Sequence, residues 1–214
     1  MIKLINKTED KIAFKTDTST SLVNAIRRSI NQIPILAIDH LEITKNDSAL
    51  YDEIISHRAG LVPLKNEDLK LPEECDCGKE EGCGKCAIKF KLSATGPCVV
   101  YSTDMSPKSS VLYKMPLDIL DKEQELEFVA VAKMGKAIKH AKFSPGLMFY
   151  RYSEDLEDEG DEAFKKIIED SKKKEDKELI IFLESWGQIK AKDMFLSSID
   201  ILNDEIKDLV KKIK

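Results

Sequence analysis

Residues 24–64 read NAIRRSINQIPILAIDHLEITKNDSALYDEIISHRAGLVPL. The stretch begins in an amphipathic helix carrying adjacent Arg27 and Arg28, passes through a β-rich segment and ends in a second helix closed by SHRAGLVPL. Residues 18–20, Thr-Ser-Thr, offer N-cap oxygens for the first helix, which is predicted to run to about Gln32 because Pro34 follows. Its apolar face is Leu22, Ile26 and Ile33, with Val23 and Ile30 beside it. Residues 35–43 read as a strand in which Asp39 and His40 point to opposite faces. Residues 49–60 read as a helix with Gly60 at its C-cap.

Working outward, residues 2–15 alternate and break at Glu9-Asp10, the pattern of a hairpin. Further strands are expected at 87–93, 98–102, 124–133, 146–152 and 178–184. Residues 71–85 and 139–146 read as loops, 154–162 as an acidic linker, 162–174 as a Lys/Glu-rich helix and 191–212 as the longest helix. Trp186 and Gly187 mark the turn from strand to helix.

With 214 residues, the chain suits one or two domains with a real core. Charged residues make up 34% and the net charge is -5, which argues against broad nucleic-acid binding. No apolar run reaches the ~18 residues that span a bilayer. Charges interrupt MIKLINKTED, so no signal peptide is read there and a cytoplasmic location is expected.

Cys75, Cys77, Cys83 and Cys86 form CxC-x5-CxxC, with Gly78, Gly82 and Gly84 where positive φ and close backbone approach are expected. Pairs one and two residues apart let single tight turns present two thiolates each, so a structural zinc loop is expected and an iron–sulfur cluster is the main rival. Labile thiols are the bland alternative. Cys98, in a strand pattern, reads as a small buried hydrophobe.

Phe195, Ile199, Leu202, Ile206, Leu209 and Ile213 recur at spacings of four, three, four, three and four, a heptad seam. Met194, Ile201 and Val210 widen the apolar face, so it either covers this chain's own sheet or receives a partner helix. His40, His57 with Arg58, His140 and Asp52-Glu53 make no catalytic set. GxGxxG, P-loop, HExxH and GxSxG patterns are absent from the sequence, so no chemistry of its own is expected.

NAIRRSINQIP, LEITKNDSALYDEIISHRAGLVPL, the run from Ser109 to the KHAKFSPG loop, and ESWGQIKAKDMFLSSIDILNDEIKDL occur in an order that resembles the assembly subunits of cellular RNA polymerases. These are the archaeal D-type polymerase subunits, the third-largest subunit of eukaryotic RNA polymerase II and the amino-terminal domain of bacterial alpha. The resemblance implies an α+β fold: a discontinuous dimerisation domain, residues 1–47 and 153–214, and an inserted mainly-β domain, 48–152, carrying the metal loop at 75–86. It implies a non-catalytic scaffold subunit of a DNA-directed RNA polymerase, a nucleotidyltransferase complex acting in transcription. Subunit L would pair along Leu22, Ile26, Phe195, Ile199, Leu202, Ile206 and Leu209, and small subunits N and P would join. Arg27 and Arg28 match paired arginines expected to meet the second-largest, catalytic subunit. The sequence departs from relatives with a ferredoxin-like third domain, because no cysteine follows Cys98. Rival readings are a freestanding metal- or iron–sulfur-binding redox protein and a homodimeric scaffold using the same seam.

Overall fold

A computed structural model describes residues 2–65, 71–72, 75–78, 83–152 and 178–213. The expected acidic linker, the Lys/Glu-rich helix and Gly82 lie outside them. The chain divides into two compact units, one of residues 1–33 and 144–214, the other of residues 34–143.

In the first unit, β1 (Ile2–Lys7), β2 (Lys11–Thr16), β8 (Gly146–Tyr152) and β9 (Leu179–Ser185) form an antiparallel sheet in the order β1-β2-β9-β8. Ile12 and Phe14 of β2 stand opposite Leu183 and Ile181 of β9, which stand opposite Met148 and Tyr150 of β8. Alternation therefore collects these side chains on one face, where α1 (Thr20–Ser29) and α3 (Ala191–Ile213) pack. Val23, Ile26, Ile30 and Ile33 complete this core with Ala191 and Met194. Phe14 meets Phe195 edge to face at 5.2 Å.

Ser19 caps α1, its side chain accepting from the Leu22 amide at 3.4 Å. The helix stops at Ser29 and tightens into a 3-10 turn, Ile30–Gln32, before Pro34. Gly146 lets β8 lie close to its neighbours: a Cβ there would stand 2.2 Å from the Glu184 carbonyl oxygen and 2.9 Å from Met194 Cε. Gly146→Ala should therefore destabilise the first unit by about 2–4 kcal/mol in denaturant titration, because backbone and core must both shift.

In the second unit, β3 (Ile35–Asn46), β4 (Ala87–Thr95) and β7 (Glu125–Gly135) form a sheet in the order β3-β7-β4. β5 (Cys98–Tyr101) pairs with β6 (Pro116–Leu120), a strand not expected from the sequence. Leu36, Ile38, Phe90, Leu92, Leu126, Phe128 and Ala130 form the core with Ile55 and Ala59 of α2 (Asp52–Gly60).

Several expectations are corrected. The units divide at 33/34 and 143/144, not 47/48 and 152/153, because β3 finds its hydrogen bonds on β7 and β8 finds its own on β9. α2 continues through Gly60 and is capped by Leu61 in the right-handed region, so this buried glycine is no left-handed cap. Of the loop glycines, Gly78 adopts φ 63°, whereas Gly84 is not among the positive-φ residues. A bulge between Ile38 and His40 places the His40 ring 3.5 Å from the Asp39 carboxylate instead of on the opposite face. Trp186 remains 41% exposed, its amide bound to the Pro145 carbonyl, and Gly187 makes the turn at φ 89°. Cys98 is exposed, its thiol directed to the Thr95 carbonyl.

Candidate functional site

The backbone around the cysteines is arranged by two turns. Gly78 follows Cys77 with positive φ, and the amides of Cys86 and Ala87 both donate to the Cys83 carbonyl at 2.9 Å. The second turn feeds directly into β4, so the loop is anchored to the sheet at Ala87. The four Sγ atoms lie within 4.8 Å of one another. Cys75–Cys83 and Cys77–Cys86 are 3.8 and 3.9 Å apart, and Cys83–Cys86 is 3.7 Å. A tetrahedron with Zn–S bonds of about 2.3 Å has S–S edges of about 3.8 Å, so the donor set and spacing fit a tetrathiolate metal. The Cys83 amide donates to Cys86 Sγ at 3.1 Å, a bond that favours a thiolate there.

The thiols are unequal. For Cys75, the Cys77 backbone favours the charged form, but sharing protons with the sulfurs of Cys86, Cys77 and Cys83 pushes it up to about 12. For Cys83, the Lys85 backbone and then Cys86 draw the thiol down to about 7. The difference follows from the neighbouring sulfurs, which lower Cys83 and raise Cys75, since each of the two has one backbone donor.

A cleft of about 270 Å³ has Cys75, Cys77 and Cys86 in its wall, together with Asp39, Lys133, Lys139 and Phe143. Phe143 closes over Gly135, where a Cβ would stand 2.6 Å from the ring. Burial raises the Asp39 carboxyl, but Lys142 and then His40 and Lys133 outweigh it and leave the group below its usual range. Lys142 Nζ donates to the Asp39 carbonyl at 2.6 Å and approaches its carboxylate at 3.3 Å. The sequence marks KHAKFSP as an ordered loop and as part of the family resemblance, but not as a wall of this cleft.

The expected helix seam divides in two. Ile26 is buried in the first unit's core, and Phe195, Ile199 and Leu202 pack partly buried against it. Leu22 is exposed, and Ile206, Leu209, Val210 and Ile213 are 51%, 59%, 48% and 83% exposed. Every residue from 203 to 213 is exposed, so about 16 Å of helix lies beyond the packed part. Arg27 donates from Nε to Asn24 Oδ1 at 3.2 Å, and Arg28 is exposed on the last turn of α1. Sequence periodicity gives all six seam residues the same spacing and does not show where packing against the chain's own core ends.

A family profile described as RNA polymerase Rpb3/RpoA insert domain matches residues 30–148. This chain belongs to the Rpb3/RpoA family of RNA polymerase subunits. It is 32% identical to the DNA-directed RNA polymerase subunit Rpo3 of Methanothermobacter thermautotrophicus, over 98% of this chain and 97% of that protein. It is 38% identical to the Rpo3 of Pyrococcus horikoshii, over 71% of this chain and 59% of that protein, and 37% identical to that of Archaeoglobus fulgidus, over 67% and 57%. The first alignment takes 258 positions against 214 residues here, so the Methanothermobacter protein carries residues that this chain lacks. No helix among the described residues is long and apolar enough to cross a membrane.

Proposed function

We propose that this chain is a non-catalytic assembly subunit of an archaeal DNA-directed RNA polymerase, working in the cytoplasm. The alignment with an Rpo3 along almost its whole length supports the assignment. The observation that carries the mechanism is the exposed apolar end of α3. In this reading a homologous small subunit, L, covers Leu22, Ile206 and Leu209, and continues along the edge of the packed seam formed by Ile26, Phe195, Ile199 and Leu202. Arg27 and Arg28 present forked donors to carboxylate or carbonyl groups of the second-largest subunit. Small subunits N and P complete the platform.

Cys75, Cys77, Cys83 and Cys86 hold one structural zinc, which ties the loop to the start of β4 and supplies no step of nucleotide transfer. The proposal is tested by light-scattering mass of the chain alone and with an archaeal L-type subunit. A one-to-one heterodimer is expected; a soluble monomer indifferent to L, or a homodimer that excludes it, overturns the partner assignment.

A further inference from the structure

The cleft beside the cysteines carries a charge arrangement that the assembly role leaves unexplained. A divalent metal held by four thiolates has a net charge of about -2. Taking that charge partly out of water is unfavourable unless cations or aligned donors face it. Cys86 is buried, Cys77 and Cys83 are half-buried, and among the described backbone donors the Cys83 amide bonds Cys86. The walls of the same cleft hold Lys133 and Lys139.

These lysines are not equivalent. Lys133 stands 3.6 Å from Asp39, so much of its field is already directed at a carboxylate. Lys142 also serves Asp39. Lys139 is exposed, and among the described residues it has no carboxylate partner. Asp39 lines the cleft too, and its repulsion of a tetrathiolate is offset by the two lysines on it.

We infer that Lys139, seconded by Lys133, provides the counter-charge that retains metal in the four-cysteine centre, with the cleft keeping cation and sulfurs within reach of one another. The inference rests on the metal reading of the cysteines and assigns positioning residues that ligand spacing does not reveal. The 136–143 segment then has an electrostatic task, and retention becomes dependent on ionic strength.

The experiment compares zinc release from the zinc-loaded full chain to a chromophoric chelator in wild type, Lys139→Glu, Lys139→Arg and Lys122→Glu. Lys122 is exposed in the same unit but does not line the cleft. Reversing one nearby charge should accelerate release about 3- to 10-fold in Lys139→Glu. Lys139→Arg and Lys122→Glu should match wild type, and about 0.5 M salt should shrink the Lys139→Glu difference. Release from Lys139→Glu equal to that from Lys122→Glu, or acceleration undiminished by salt, overturns the counter-charge role. A wild-type chain that takes up no zinc fails earlier and overturns the zinc reading itself.

Discussion

Ile206→Asp combined with Leu209→Asp should abolish co-purification with an L-type subunit while leaving the melting temperature of the chain alone unchanged. Both side chains are more than half exposed, so the isolated chain loses little when they become polar. In a heterodimer they would be covered, and each apolar side chain buried there contributes about 1.5–3 kcal/mol before association costs. Replacing two of them with carboxylates removes that gain and adds the desolvation of two charges. The expected loss of affinity is at least about 100-fold. Leu202→Asp should behave differently, because Leu202 packs against this chain's own core and its loss also lowers the chain's stability. Retention of the partner by the double variant would place the interface elsewhere on the molecule.

Cys83→Ser with Cys86→Ser should eliminate bound metal and loosen the second unit without unfolding the first. The two residues form the turn that delivers the chain into β4, so loss of the centre should raise amide exchange at the β4 start near Ala87. A structural zinc can supply the whole folding free energy of a small metallo-domain. Here the core around Phe90, Leu126 and Phe128 is independent of it, so the stability loss should be only a few kcal/mol. α1 and α3 belong to the other unit and should keep their circular dichroism. Disappearance of the entire helical signal would show that the two units fold as one, and a full complement of zinc in the variant would remove these cysteines from the ligand set.

Much of the architecture is legible because local chemistry and tertiary demand agree. The Ser19 cap, Pro34 and the 3.6-residue apolar stripe all specify α1, and short apolar runs bounded by polar residues, 12–14 in β2 and 128–132 in β7, specify those strands. β6 escapes such a reading because PLDIL is short, begins with proline and buries Asp118 among apolar neighbours, which hides its alternation. The cysteine spacing reveals a candidate donor set but not its surroundings. Lys133 and Lys139 reach the same cleft through the end of β7 and the following loop, more than forty residues beyond Cys86.

The order of motifs, the four thiols and the seam follow from sequence alone, since periodicity and spacing act over a few turns of chain. The division into units was a tertiary decision. β3 and β8 each satisfy their backbone groups on a strand distant in sequence, and that pairing, which no local pattern encodes, moved the boundaries. The seam was likewise divided by tertiary structure: α3 carries one continuous apolar stripe, but the chain's own core covers only its first part. What remains exposed is set by where that core ends.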